Sequence, residues 1–325
     1  MSKLFKLKDR AKGVIVPLVT WLDSNGNVDH VAMEQHIDFL LKKGANVIFT
    51  LGSTGEGPYR TMDEKKEIID HVVNHVNDRV PVLTGAAYHG VREAIQFCEI
   101  AAEKGVDGVV VNIPQYFNLS ATDVDLYFTK LAEGIGDAIP VCIYYAPTII
   151  TNMPKIGPDL VFELARRKAI AGIKYTINEW EDVAELCRMR ADDYTVQMNN
   201  IWCGTDKVAM DCLKNDVTDF DGIISSAANL FPDFYNVLLK AFRESPRNDA
   251  RCKSLENISI IIQKMFQVDM REIPALMKVA LNSAKMPFAN CVDVSPPLPG
   301  LRPEIEENLM SCLAELRKKG INIKA

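Results

Sequence analysis

The sequence predicts an α/β chain: a (β/α)8 barrel carrying a C-terminal helical appendage. Three observations predict it. Short β-branched apolar runs alternate with longer amphipathic segments as far as about residue 230, and strands separated by helical patterns imply parallel βαβ units. The apolar runs number eight, at 14–19, 47–51, 80–84, 108–112, 141–145, 169–174, 195–198 and 222–225, and eight such units close naturally into a barrel. The length of 325 residues suits a barrel of about 250 residues with an addition. An open doubly wound sheet is the competing arrangement. It favours a glycine-rich loop after the first strand, and Val19-Thr20-Trp21-Leu22-Asp23 is not one.

The elements follow from local chemistry. Thr61-Met62-Asp63-Glu64 reads as a capping box, followed by Ile68, Ile69, Val72, Val73 and Val76 at helical spacing. Lys43-Gly44-Ala45-Asn46-Val47 and Lys104-Gly105-Val106-Asp107-Gly108 repeat one device: helix, glycine cap, short loop, buried strand. Beyond Leu230 the strand signal fades. Segments 231–243, 257–267, 273–283 and 303–319 read as helices, and Pro296-Pro297-Leu298-Pro299 as a stiff extended connector. The expected division is therefore a barrel over 1–230 and a helical region over 231–325.

Composition narrows the function classes. The chain is 48% hydrophobic and 25% charged with a net charge of -6, an ordinary globular profile. It lacks the basic stripe of a nucleic-acid binder. The start of the sequence has no apolar core of signal-peptide length, and the apolar stretch 14–22 is broken by Pro17 and too short to cross a bilayer. A cytoplasmic, membrane-free protein is expected. The eight cysteines form no Cys-x-x-Cys pair, so neither a zinc site nor a disulfide framework is indicated.

In a barrel, function collects at the carboxyl ends of the strands. Reading those positions gives Gly52-Ser53-Thr54-Gly55-Glu56, Tyr144-Tyr145-Ala146-Pro147, Lys174-Tyr175-Thr176, Gly204-Thr205-Asp206 and Ser225-Ser226. Lys174 ends the apolar run Ala169-Ile170-Ala171-Gly172-Ile173. A lysine drawn out of water favours its neutral amine, which is a nucleophile, although a strand-end lysine also snorkels to solvent. Gly-Ser-Thr-Gly offers backbone N–H groups and two hydroxyls to a small anion, and it lacks the Gly-Lys-Ser/Thr ending of a P-loop. Glu56 reads as a catalytic acid or as a structural pairing group, the latter favoured.

Lysine, tyrosine and a carboxylate cradle together suggest imine chemistry. The amine attacks the carbonyl of a 2-oxo acid, and the protonated imine serves as an electron sink for breaking or forming the C3–C4 bond. The tyrosine passes protons to and from the C4 hydroxyl. No metal or organic cofactor is required.

Gly52-Ser53-Thr54-Gly55-Glu56, Tyr144-x-x-Pro147, Gly172-Ile173-Lys174 and Asp221-Gly222-Ile223-Ile224-Ser225 together resemble the dihydrodipicolinate synthase / N-acetylneuraminate lyase family of class I aldolases. The resemblance covers roughly residues 10–310. It implies a (β/α)8 barrel with C-terminal helices, a homotetramer built as a dimer of dimers, and pyruvate as a partner of the reaction. It further implies Lys174 as the Schiff-base lysine, Tyr144 as the proton shuttle, and Ser53 and Thr54 as carboxylate ligands. Tyr116 matches the tyrosine that enters a neighbouring subunit's site and joins the relay with Thr54 and Tyr144; interface packing is its plainer role. Ile224 matches a residue of the pocket floor.

Within that family, a dihydrodipicolinate synthase carries an arginine where this chain has Ile149, and an isoleucine cannot supply a charge-assisted hydrogen bond to a distal carboxylate. The usual asparagine after the tyrosine is here Tyr145. The spacing of Gly57-Pro58-Tyr59-Arg60-Thr61, with Thr176, Gly204, Asp206 and Ser226, matches positions that hold the sugar chain in N-acetylneuraminate lyase; Lys207 replaces the lyase's glutamate. The expected activity is aldol cleavage or synthesis of a 2-oxo acid such as a 2-keto-3-deoxy sugar acid, joining pyruvate and an aldehyde. The alternatives are dihydrodipicolinate synthesis, a related dehydratase or deaminase, or a family member that binds a 2-oxo acid without turnover. A metal-dependent enzyme is a further alternative: His71 and His75, four apart on a helix, could supply half a metal site, but read better as solvated helix surface.

Overall fold

A computed structural model describes residues 3–150, 152–193 and 200–323. Eight strands form a closed barrel in sequence order: β1 (Gly13–Pro17), β2 (Val47–Thr50), β3 (Val82–Ala86), β4 (Gly108–Asn112), β5 (Val141–Tyr145), β6 (Gly172–Tyr175), β7 (Asn200–Cys203) and β8 (Gly222–Ile224). Helices alternate with them: α1 (Lys3–Arg10) precedes β1, and α2 (His30–Lys42), α3 (Met62–Val76), α4 (Val91–Glu103), α5 (Ala121–Ile135), α6 (Pro158–Arg166), α7 (Glu181–Asp192) and α8 (Asp206–Lys214) follow β1 to β7 in turn. After β8 come α9 (Pro232–Arg243), α10 (Asp249–Met265), α11 (Ile273–Ser283) and α12 (Pro303–Lys318). The expected barrel with C-terminal helices is the fold.

The chain divides into two compact units, Met1–Gly13 with Asn77–Ile224, and Val14–Val76 with Ser225–Ala325. In the first, β3 to β8 pair in parallel through a continuous register. In the second, β1 pairs with β2, Ile15 opposite Val47. The strand residues are almost all buried, as a parallel sheet covered by helices requires.

The repeated helix-to-strand device is real. Gly44 and Gly105 adopt φ of +86° and +84°, the left-handed cap that glycine takes without steric cost. The N–H groups of Ala45 and Val106 then return to Leu40 O and Ala101 O at 2.9 and 3.0 Å. The next residue completes a clamp. Asn46 and Asp107 accept the N–H of Val14 and Val82 on their side-chain oxygens at 2.8 and 2.9 Å. Their own N–H groups donate to the carbonyls of the same two residues, both at 2.9 Å. Asp221 does the same to Ile201, at 2.9 Å through its side chain and 2.8 Å through its N–H. So β2, β4 and β8 each enter the sheet on an Asx residue that ties down the start of the preceding strand. At β6 the position is Ala171, which keeps only the backbone half, its N–H on Val141 O at 2.6 Å.

Some elements differ from the sequence reading. The helix α1 was not expected; its Leu7 is buried, with its methyl groups against Gly108. The helix expected at 257–267 begins instead at Asp249, capped by the Asn248 side chain on the Arg251 N–H at 3.0 Å. The proline segment turns rather than extends: Leu298 N–H closes on Ser295 O at 2.9 Å around a cis Pro296–Pro297 bond. The strand expected at 195–198 lies outside the described residues, and β7 stands just after it. The capping box is present, with Glu64 accepting from the Thr61 N–H at 2.7 Å and donating its own N–H to Thr61 Oγ1 at 3.2 Å.

Candidate active site

The site residues expected from the sequence fall into both units. In the first, Tyr144 on β5 and Lys174 on β6 are Cα partners across the ladder. Lys174 is 5% exposed, and its Nζ lies 4.0 Å over the Tyr144 ring centroid. The strand period of two separates this pair from its neighbours. Tyr145 and Tyr175 take the opposite face and meet edge to face at 6.1 Å, and the Tyr145 hydroxyl accepts the Ile156 N–H at 3.4 Å. Burial raises the pKa of both. Tyr145 is thus a packing residue behind the strand, while Tyr144 shares a face with the lysine.

Thr176 follows two residues after Lys174, on the same face. It is buried, and its hydroxyl has no hydrogen-bond partner among the described residues. Gly204 sits against it: a Cβ there would lie 2.2 Å from Thr176 Oγ1 and 2.7 Å from Tyr175 O. Only glycine fits that approach. Asp206 starts α8 immediately after Thr205, whose hydroxyl caps the helix on the Val208 N–H at 3.2 Å. Lys207 turns to its own helix, bonding Asp211 at 2.8 Å and Asn178 O at 3.2 Å. Its cation is thus already paired with a carboxylate of its own helix. Ile224 closes β8, buried. Ile149 is half-buried in the loop after β5.

Tyr116 lies apart on the loop after β4, 76% exposed, with Phe117 beside it at 72%. Their rings meet at 4.9 Å. Together with His89, Leu119 and Leu126 they border a groove of about 610 Å³.

In the second unit, the Gly52–Glu56 loop follows β2. Thr54 Oγ1 and Ser226 Oγ are hydrogen-bonded at 2.8 Å, so two residues far apart in sequence and expected in one site do meet. Ser53 is half-buried, and its carbonyl accepts the Glu56 N–H at 3.1 Å. Glu56 is not available as an acid. It is fully buried, and Lys278 Nζ on α11 donates to its carboxylate at 2.7 Å. The Ser295 N–H (2.6 Å) and hydroxyl donate to its other oxygen. The sequence reading missed Lys278 and Ser295. The available signal for Lys278 was a lone cation in the apolar run Ile273–Leu281.

The histidine pair resolves as surface chemistry. His75 Nε2 bonds Asp38 at 3.0 Å, and His71 Nδ1 lies 3.7 Å from Glu34. Among the described residues no group of three or more potential ligands could hold a metal ion. The eight cysteines form no disulfide among the described residues, and seven of them are buried; burial pushes the Cys98 thiol up to about 12. No helix of the described residues is long and apolar enough to cross a membrane.

Comparison with known proteins decides the family. Residues 10–316 match the Dihydrodipicolinate synthetase family. The chain belongs to that family. Among its relatives, a 4-hydroxy-tetrahydrodipicolinate synthase of Staphylococcus carnosus is 30% identical over 84% of this chain and 86% of its own. YagE of Escherichia coli, to which 2-dehydro-3-deoxy-D-gluconate aldolase activity is ascribed, is 31% identical over 79% and 82%. The crystal structure of YagE in complex with pyruvate superposes with a TM-score of 0.81 over 94% of this chain and 98% of that one. CdNal of Clostridium difficile, solved with mannosamine, shares the fold at 18% identity, with a TM-score of 0.78 over 94% of this chain and 98% of its own. Membership of the dihydrodipicolinate synthetase family makes this chain a lyase.

Proposed function

We propose that this lyase is a Schiff-base aldolase that joins pyruvate to an aldehyde, or cleaves the resulting 2-oxo acid, with a 2-keto-3-deoxy sugar acid as the substrate class. The observation that carries the reading is Lys174, nearly buried, over the Tyr144 ring. A lysine amine drawn out of water is the nucleophile that imine formation needs, and the phenol beside it can carry the proton of the bond-breaking step. In this reading the Lys174 amine adds to the C2 carbonyl and, with loss of water, gives a protonated imine. Tyr144 takes the proton of the C4 hydroxyl as the C3–C4 bond breaks, leaving an enamine that is protonated at C3 and hydrolysed to pyruvate. Ser53 and Thr54 hold the C1 carboxylate. Thr176, Gly204, Asp206 and Ser226 receive the chain beyond C4, and Ile224 lines the floor. The orphan hydroxyl of Thr176 supports this role, because a buried hydroxyl without a partner is costly unless a ligand satisfies it.

A homotetramer, arranged as a dimer of dimers, belongs to the reading, with Tyr116 reaching a neighbouring subunit's relay. Its exposure and the groove beside it support that role, and sedimentation of the purified protein tests it. A cytoplasmic location belongs to the same reading, since cysteines without a disulfide among the described residues suit a reducing compartment.

The family relatives also support a second reading, 4-hydroxy-tetrahydrodipicolinate synthesis; the apolar Ile149 disfavours it. The deciding experiment incubates the protein with pyruvate and borohydride and maps the adduct by mass spectrometry, then scores a panel of aldol substrates for pyruvate release. An adduct on Lys174 with release from a 2-keto-3-deoxy sugar acid is expected. Absence of the Lys174 adduct rejects the Schiff base. An adduct with condensation onto aspartate semialdehyde alone selects the second reading, and an adduct without turnover of any substrate selects a 2-oxo-acid binder.

A further inference from the structure

We propose that the buried Glu56–Lys278 ion pair, completed by Ser295, is a positioning device that holds the Ser53–Thr54 loop in its carboxylate-binding shape. The inference rests on the aldolase reading above. Both side chains of the pair are wholly buried. Lys278 Nζ divides its donors between Glu56 Oε1 at 2.7 Å and Asp293 O at 2.6 Å. The second carboxylate oxygen takes the N–H and the hydroxyl of Ser295. Arg60 stands 3.9 Å from the same oxygen and is itself engaged by Glu64 at 3.0 Å.

Stability alone is a poor account of this arrangement. A buried ion pair must repay the desolvation of two charges, and well-packed apolar residues in its place are commonly as stable. What directional bonds supply is a fixed geometry, and the loop above them needs one. Leu51 and Glu56, at its two ends, both sit at φ of +56°, a region that side-chain-bearing residues occupy only when their surroundings hold them there. Glu56 is two residues from Thr54 and returns its N–H to Ser53 O at 3.1 Å, so rotation at Glu56 displaces both cradle residues. Thr20 Oγ1 pins the intervening Gly55 carbonyl at 2.6 Å, and Ser226 pins Thr54. The loop is thus anchored at Thr54, Gly55 and Glu56, and the deepest anchor is supplied by α11 and the segment that follows it.

The test measures the pyruvate concentration that half-saturates borohydride trapping, for wild type, Glu56→Gln/Lys278→Met and Ser295→Ala. The double variant removes both charges together, leaving neither buried alone. Half-saturation is expected to rise roughly tenfold in the double variant and about threefold in Ser295→Ala, with the limiting trapping rate within about twofold of wild type, because Lys174 is untouched. Half-saturation equal to wild type in every folded variant overturns the inference, even where the melting temperature falls; that pattern marks a purely structural pair. Should the double variant fail to fold, Ser295→Ala alone decides. Absence of an adduct in wild type overturns the aldolase reading and this inference with it, whereas a wild-type adduct with unmoved variants overturns this inference only.

Discussion

Lys174 Nζ lies 4.0 Å from the centroid of the Tyr144 ring, its ladder partner on the adjoining strand. The contact places the two groups of the proposed chemistry on one face of the sheet and makes their roles separable. Lys174→Ala removes the nucleophile, and turnover is expected to fall by on the order of 10⁴ or more, with the far-ultraviolet circular dichroism unchanged. Tyr144→Phe keeps the ring under the amine and removes only the phenolic proton. Its turnover is expected to fall by about 10²–10³ while borohydride trapping with pyruvate is less affected. Near-normal turnover in either variant would reject the corresponding role.

The Thr176 hydroxyl, without a hydrogen-bond partner among the described residues, predicts opposite effects on stability and activity. Thr176→Val replaces a buried, unsatisfied Oγ1 by a methyl group of similar size. Unfolding free energy is expected to stay level or rise by up to about 1 kcal/mol, while kcat/KM for the aldol substrate falls by roughly tenfold. Chemical denaturation and steady-state kinetics on the same preparation check both halves. A clear loss of stability would show that the hydroxyl serves the fold rather than a ligand.

Gly204 packs against the same hydroxyl. A Cβ there meets Thr176 Oγ1 and the Tyr175 carbonyl at once, and the backbone carbonyl cannot swing away. Gly204→Ala is expected to cost about 1–3 kcal/mol. The Gly204→Ala/Thr176→Ala pair should recover only part of it, measured by the same denaturation. Full recovery would mean that the side chain alone made the contact tight.

Lys174 and Lys278 show how far the sequence could be read. Each is a lone lysine in an apolar run, and each is buried. Periodicity identifies both as anomalies but does not say what each faces. Lys174 was legible because the barrel pattern placed it at a strand end, where chemistry collects. Lys278 was not, because its partner Glu56 lies 222 residues away and no local pattern encodes that distance. A related limit applies to Tyr144 and Tyr145: alternation alone puts them on opposite faces, but strand register decides which of them stands beside Lys174. The first turns of α10 were missed because 249–256 carries Asp249, Arg251, Lys253 and Glu256, which mask its apolar stripe. The Thr54–Ser226 bond was the reverse case: two hydroxyls at predicted strand ends, brought together by closure of the fold.

The burial of His36 predicts that it contributes to the acid limb of stability. It is wholly buried, accepts the Trp21 Nε1–H on Nδ1 at 3.2 Å, and faces Asn229 O with Nε2 at 3.3 Å. Desolvation drives its pKa down from 6.5 to about 3, against the smaller effect of the Asn229 carbonyl. The folded protein therefore keeps His36 neutral over a range in which the unfolded chain binds a proton. Since the unfolded state holds more protons, stability falls as pH drops from about 6.5 towards 3, by up to about 1.4 kcal/mol per pH unit. His36→Gln retains one donor and one acceptor without titrating. Its unfolding free energy should depend less steeply on pH between about 4 and 6, measured by urea titration; an unchanged slope would assign the acid limb to other groups.

The Asx clamps predict that an acceptor, and not a charge, is what each strand entry needs. The chain already carries the comparison, since Asn46 does for Val14 what Asp107 does for Val82, with side-chain bonds of 2.8 and 2.9 Å. Asp107 has a weak additional cation in Arg10, whose Nη1 lies 4.0 Å away, a distance at which a part-exposed pair adds little. Asp107→Asn should consequently change unfolding free energy by less than about 0.5 kcal/mol. Asp107→Ala leaves the Val82 N–H buried without its partner and should cost about 1–3 kcal/mol. Ala171 shows that the barrel tolerates one entry without a side-chain acceptor, so the alanine variant should still fold, and urea denaturation can compare all three proteins. A cost for the asparagine variant equal to that for alanine would mean that the carboxylate's charge, through Arg10, is the part that matters.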